Sequence, residues 1–420
     1  MNIVAPYLEL PFFTNLLILL VAARLLGEIF ERFKQPAMIG EIIAGIILGP
    51  SLLNFIHRTE DIKVISELGI FLLVIIAGLE INIDDILKSF KGKNLVISLL
   101  AFFLPIFSGF AVGYFFGQDL MTTAFIGLCV AITALPVSIR ILMDLGKLNS
   151  EVGRKIISVA IFDDVLALTI LGVLLNIKGT DMSITAVAKV SLISLLKLFV
   201  FISILSFSYY LFKRITNKGN YIEVLLDKLI VFIKGRESLF AIFFIFVLLF
   251  STITETLGFH FIIGAFFASM LISESIIGKT HLKTIEKTTT SLAMGFLAPI
   301  FFAGIGLEFN FASINNIGLL IAVVLVSYFS KIIGGYVGGI YAGLKKSVSI
   351  TLGIGLNARG IMELVIANIA YKAGLINIEI FSILVIMGIL TTLTTPLMLK
   401  RSFDRIEKKP SVNQVESPIK

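Results

Sequence analysis

The sequence is short of cysteine and of charge, and each shortage excludes something. Its 420 residues include one cysteine, Cys129, so no internal disulfide can form, and Cys129 reads as a small apolar side chain within a helix. Asp, Glu, Lys and Arg make up 15% of the chain, where a soluble domain carries about a quarter. Hydrophobic residues make up 57% and the mean hydropathy is +1.01. So little charge cannot clothe that much apolar surface in water, which leaves lipid as the solvent. A basic stretch before the first apolar run is also missing, since only Glu9 precedes it. A cleaved signal peptide needs such a stretch and a small-residue cleavage site, so this run is expected to stay as a helix with its N-terminus outside the cell membrane.

What is present is a succession of apolar segments, at 12–33, 37–56, 64–81, 94–117, 121–144, 153–176, 184–212, 237–257, 259–276, 289–308, 317–343, 348–373 and 378–399. A crossing helix needs about 20 mostly apolar residues, and the segments predict an all-α polytopic membrane protein with about 13 transmembrane helices. The net charge of +7 does not point to nucleic acid, because the basic residues sit in short loops. Numbered from an outer N-terminus, the inner loops hold Arg32, Lys34, Lys88, Lys91, Lys93, Lys147, Arg154 and Lys155. They also hold the basic run from Lys213 to Arg236, then Lys279, Lys283, Lys287, Lys345 and Lys346, before a basic C-terminal tail. The outer loops hold Arg58, Lys63, Lys178, Lys189 and Lys372. A wrong count would swap the loops midway and erase this bias. The expected placement is therefore a multi-pass protein of the inner membrane, with its C-terminus cytoplasmic.

Three landmarks repeat at one offset. Gly78-Leu79-Glu80 and Gly306-Leu307-Glu308, Gly127-Leu128 and Gly355-Leu356, and Gly146 and Gly374 are each 228 positions apart. Six helices per copy with one linking helix between place the copies in opposite orientations, the inverted-repeat plan of secondary transporters, whose site lies near the bilayer midplane. The linker is expected at 184–234, a helix followed by a cytoplasmic basic segment, and 401–420 reads as a disordered cytoplasmic tail.

Most of these helices carry no charge at their centres, so the exceptions matter. Asp163 and Asp164 lie between Ala160-Ile161-Phe162 and Val165-Leu166-Ala167, and each ionised Asp costs about 2.5–3.5 kcal/mol at a helix centre. Two adjacent carboxylates repel, so one is expected to hold a proton or a metal cation. The helical step of about 100° aims them at different partners. Lys331, deep in the eleventh apolar run, is the natural counter-charge, with snorkelling to an interface as the alternative. Gly334, Gly335, Gly338 and Gly339 follow it and allow a close helix approach. Two helices read as broken. Pro136 interrupts one at Thr133-Ala134-Leu135-Pro136 by removing a backbone donor, and Thr133 with the freed carbonyls suits a small cation. Asn357-Ala358-Arg359-Gly360 interrupts the other, with Arg359 and Glu363 spaced to pair with each other. His57, His260 and His281 fall near helix ends or in loops, and Glu80 and Glu308 end helices at interfaces; none is assigned chemistry.

At these residues the chain resembles the monovalent cation:proton antiporter family, in its bacterial and archaeal sodium/proton exchanger branch. The matching stretches are Gln35 through Pro50, Thr133–Pro136, Phe162-Asp163-Asp164-Val165, Gly264-Ala265-Phe266, Pro299-Ile300-Phe301-Phe302 and Gly355 through Gly360. The resemblance implies a homodimer whose protomers each have scaffold helices (12–81 and 237–308) and a mobile core (94–176 and 317–399) with two crossed broken helices. It implies that Asp164 is the main cation ligand, with Asp163 paired to Lys331, Thr133 lining the site, and Pro136, Arg359 and Glu363 supporting the breaks. An Asp-Asp pair with a lysine resembles the electrogenic subgroup. Ile361 stands where many relatives carry Glu. The expected activity is Na+ or Li+ exchange for H+ by alternating access, serving pH homeostasis, with no cofactor and no partners beyond monovalent cations, lipid and a second copy. K+/H+ exchange and, further off, sodium-coupled symport are the alternatives. An intramembrane aspartyl protease is excluded, because it needs acids on separate helices and a Gly-x-Gly-Asp segment.

Overall fold

The apolar runs fold as helices in the computed structural model, which describes residues 11–56, 59–81, 92–177, 184–216 and 238–407. In chain order these are α1 (Phe12–Arg32), α2 (Ala37–Leu48), α3 (Glu60–Leu79), α4 (Gly92–Phe115), α5 (Leu120–Ala131), α6 (Leu135–Asp144), α7 (Glu151–Ile177), α8 (Ile184–Thr216), α9 (Ser238–Thr256) and α10 (Phe261–Leu271). The short α11 (Glu274–Ile277) leads into α12 (Lys279–Leu292), which runs through one π turn (Ala293–Leu297) into α13 (Ala298–Glu308). Then come α14 (Ile317–Tyr341), α15 (Lys346–Gly355), α16 (Ile361–Lys372) and α17 (Ile378–Glu407). Among the described residues ten stretches are long and apolar enough to cross a membrane, while Ala37–Leu48 and Phe261–Leu271 are apolar but shorter. Their outward faces are apolar too. Phe13, Leu17, Val21 and Leu25 on α1 and Ile321, Leu325 and Phe329 on α14 are exposed at helical spacing, the pattern of a lipid-facing stripe.

Glycine sets how closely the helices approach. A Cβ on Gly109 of α4 would lie 2.8 Å from the Gly127 Cα of α5, and one on Gly45 of α2 would lie 1.9 Å from the Ala303 carbonyl of α13. Neither position tolerates a side chain, which is the small-residue packing that membrane helices use in place of a hydrophobic drive. The glycines after Lys331 divide between two neighbours. Gly334 and Gly338 meet α4 at Leu100 and Ile97, while Gly335 and Gly339 meet α15 at Gly353 and Ser349. Through such contacts α1–α3 pack with α9, α10 and α13, and α4–α7 pack with α14–α17.

Several expectations need correcting. Lys279, Lys283 and Lys287 lie in α12 rather than in a loop. Residues 279–292 are too polar to read as a crossing, yet they bury Ile285 and Thr289 and continue into α13. The helix expected over 259–276 ends at Leu271. The tail expected to be disordered from 401 is helical to Glu407, because Phe403 is buried against Lys147 and Ser402 bonds the Thr351 hydroxyl at 2.6 Å. Pro136 does not itself break a helix. It occupies the first turn of α6, where its missing N–H costs nothing, and the break precedes it. His57, Arg58, Lys88, Lys91, Lys178, residues 218–236 and residues 408–420 lie outside the described residues.

Candidate functional site

α7 runs unbroken past two acids at its midpoint, and both side chains are fully buried. The helical step separates them. Asp163 points at α14, where the fully buried Lys331 donates from Nζ to Asp163 Oδ2 at 2.6 Å. Neither carboxylate oxygen of Asp164 has a hydrogen-bond partner among the described residues. Buried polar groups are normally satisfied, so this carboxylate is anomalous, as is that of Glu363.

The two breaks meet each other. α5 stops at Ala131 and the chain runs extended through Ile132 and Ala134 before α6. α15 stops at Gly355 and α16 begins at Ile361, after Asn357-Ala358-Arg359-Gly360. Ala134 donates its backbone N–H to the Ala358 carbonyl at 2.8 Å, and the Thr133 hydroxyl donates to the Leu356 carbonyl at 3.0 Å. The last carbonyls of a helix have no partner within it. Those of Cys129 and Val130, at the end of α5, both accept from the Arg359 guanidinium, the second through Nη2 at 2.5 Å. The Thr392 hydroxyl of α17 in turn donates to the Arg359 carbonyl at 2.8 Å.

Glu363, the residue spaced to pair with Arg359, approaches it only to 3.8 Å, and neither of its oxygens has a hydrogen-bond partner among the described residues. Arg359 thus serves the other break's carbonyls more closely than it serves Glu363. Counting formal charges in this fully buried group, three acids (Asp163, Asp164, Glu363) against two bases (Lys331, Arg359) give −3 + 2 = −1. Lys331 holds Asp163 and Arg359 stands beside Glu363, so the uncompensated charge falls on Asp164. An isolated buried charge is costly, and one bound monovalent cation, a metal ion or a proton, cancels it.

Reading the sequence missed Thr392, two backbone carbonyls and the nearby Glu41. Thr392 was signalled by the hydroxyl run Thr391, Thr392, Thr394 and Thr395 in an apolar helix. The Cys129 and Val130 carbonyls carry no side-chain signal. Glu41 lies inside one of the stretches that carry the resemblance, yet drew no role. It is 4% exposed and lines a cavity of about 230 Å3, which also touches Arg24, Glu31, Pro136, Val137, Arg140 and Ile361. Two ion pairs bridge the helix groups, Arg140 to Glu31 and Lys372 to Glu67, each at 2.9 Å. The first joins α6 to α1 and the second joins α16 to α3.

A family profile described as sodium/hydrogen exchanger, transmembrane, matches residues 16–403. Among similar proteins are the Na+/H+-K+ antiporter GerN of Bacillus cereus, 29% identical over 402 residues that cover 96% of this chain and 98% of that protein. The probable Na+/H+ antiporter GerT of the same organism is 31% identical over 394 residues, covering 93% and 99%. These relatives are transporters, not enzymes. In fold, the sodium proton antiporter MjNhaP1 from Methanocaldococcus jannaschii at pH 8 matches with a TM-score of 0.68 over 94% of this chain and 97% of that one, at 15% identity.

Proposed function

The chain belongs to the sodium/hydrogen exchanger family, and from that premise we propose that it exchanges Na+ or Li+ for H+ at Asp164. The observation that carries this reading is the unpartnered, fully buried carboxylate of Asp164 beside a Lys331–Asp163 pair. Metal ion and proton compete for it. Thr133 and the loosened carbonyls of the first break supply further oxygen ligands, as a hard monovalent cation requires. Asp163 trades its bond to Lys331 for the ion when a second charge must be accommodated, so it too is a candidate ligand. Arg359 and Glu363 support the second break, and Pro136 opens the half-helix that follows the first.

Coupling follows from electrostatics. A core carrying one bare negative charge is held back by a desolvation cost of several kcal/mol, so only the proton-loaded or metal-loaded core crosses readily. α4–α7 and α14–α17 form the moving core, and α1–α3 with α9–α13 form the scaffold of a homodimer in the inner membrane. Thirteen crossings in two inverted six-helix repeats, with the C-terminus cytoplasmic, is the arrangement that fits this motion. If two protons return for each sodium, one net charge moves per cycle, worth about 2.3 kcal/mol per 100 mV. K+ is the second cation to test, since one relative is named for K+ as well.

Reconstituted protein with a pH-sensitive dye inside the vesicle tests the reading. Sodium and lithium pulses are expected to drive proton flux in the unaltered protein and none in Asp164→Asn. Sodium-driven flux persisting in Asp164→Asn would remove Asp164 from the site.

A further inference from the structure

Glu41 is an acid the exchange site does not use. It sits on α2 with 4% of its surface exposed, and an ionised side chain buried within a membrane helix is costly. An acid retained at that cost needs a partner, and the one ion pair to it among the described residues is long. The Arg24 guanidinium stands 3.9 Å from Glu41 Oε1, beyond hydrogen-bond range. Arg24 instead donates from Nη1 to the Met294 carbonyl of the π turn at 3.3 Å. The two side chains also differ in freedom. Arg24 is 49% exposed and can swing to water, whereas Glu41 is 5% exposed and cannot.

The surroundings keep space for a third party. Gly27 faces the carboxylate, and a Cβ there would come within 3.2 Å of Glu41 Cγ and 3.4 Å of Oε1. The adjoining cavity of about 230 Å3 has room for several waters at about 30 Å3 each, enough for an alkali cation with part of its shell. At its inner end the cavity is bounded by Pro136, Val137 and Ile361, the first turns of the two half-helices beyond the breaks. Helix N-termini carry partial positive charge and would repel a cation moving toward the crossing. A fixed carboxylate at Glu41 offsets that repulsion.

We propose that Glu41 is a second, transient binding residue for the transported alkali cation on the route from this face to the crossing, and that Arg24 is its exchangeable counter-ion. The inference rests on the antiporter reading above. A cation arriving from the cavity displaces the Arg24 guanidinium, is held at Glu41, and passes inward while Arg24 returns.

The test is a sodium titration of dye-reported proton flux in proteoliposomes on four proteins: unaltered, Glu41→Gln, Glu41→Asp and Arg24→Gln. Glu41→Gln is expected to raise the half-saturating sodium about five- to tenfold while the maximal rate stays within about twofold. Glu41→Asp, which keeps the charge, is expected to stay within about twofold of the unaltered protein on both measures. Arg24→Gln removes the competitor and is expected to lower the half-saturating sodium. The opposite directions matter, because residues that merely hold the helices together would fail in the same direction. Unchanged sodium dependence in Glu41→Gln, or parallel shifts in Glu41→Gln and Arg24→Gln, overturns the proposal and leaves Asp164 untouched. Should Glu41→Gln not assemble, the Asp and Arg24 variants still decide it. No flux in the unaltered protein overturns the antiporter reading and this proposal with it.

Discussion

The two interrupted helices look alike in outline and differ in how their loose ends are satisfied. The first break, Ile132-Thr133-Ala134, carries no charge and leaves the Cys129 and Val130 carbonyls of α5 without helical partners. The second, around Asn357-Ala358-Arg359-Gly360, brings a fully buried guanidinium that accepts no bond and must donate. It donates to those two carbonyls, so one break repairs the other. The exchange is unequal. The first break returns only a hydroxyl and one backbone N–H, from Thr133 to Leu356 and from Ala134 to Ala358. Non-helical backbone at membrane depth is tolerated only where protein or a cavity satisfies it. Here the satisfaction of one crossing is concentrated in a single side chain, and the first break carries no charge of its own.

That asymmetry predicts its own largest failure. Arg359→Gln should remove the donor for two carbonyls and strand Glu363, costing about 3–5 kcal/mol, the range for removing one partner of a buried pair. Glu363→Gln should cost about 1 kcal/mol or less, because its carboxylate makes no hydrogen bond among the described residues and leaves the bonds from Arg359 to the carbonyls intact. Thermal unfolding of the two variants in detergent separates them. Equal losses would mean that the ion pair, not the carbonyl repair, holds the crossing.

How far the sequence carried this picture depended on whether a residue advertised itself chemically. Asp163, Asp164, Lys331 and Arg359 stood out because charge within an apolar run is expensive, and the structure buries all four completely. The apolar segments located the helices for the same reason, through length and composition. What could not be read was where backbone groups end up. That Arg359 serves Cys129 and Val130, whose chain positions are 230 and 229 residues away, depends on the packing of two distant segments. Pro136 misled because proline disrupts a helix interior but suits a first turn, and only the fold says which of the two it occupies. Glu41 carried the same signal, a charge within an apolar run, and was passed over. Arg24 comes to it from another helix.

A smaller effect probes the far side of the second break. Thr392 donates to the Arg359 carbonyl at 2.8 Å from α17, tying the second break to that helix. Thr392→Val keeps the shape and orphans that carbonyl, at a cost of about 1–3 kcal/mol. Thr392→Ser should recover most of it. The same detergent unfolding assay reads both, and a neutral Thr392→Val would show that the carbonyl finds another donor once α17 withdraws its own.

A change in stability as small as that at Glu363, and the sharpest for the comparison, is expected at Thr133. Its hydroxyl does two jobs in the proposed scheme. Its proton ties the first break to the Leu356 carbonyl at 3.0 Å, and its lone pairs remain to face a cation. Thr133→Val is nearly isosteric and removes both at once, so stability should fall by about 1 kcal/mol, the net worth of one such bond. If the neutral break is the cation-facing one, the same variant should also raise the half-saturating sodium several-fold, with Thr133→Ser restoring stability and sodium dependence together. A Thr133→Val protein that is destabilised but keeps its sodium dependence would assign the hydroxyl to the tie alone. The oxygen ligands around Asp164 would then have to come from the backbone carbonyls of the first break, and the two breaks would differ only in which of them carries the charge.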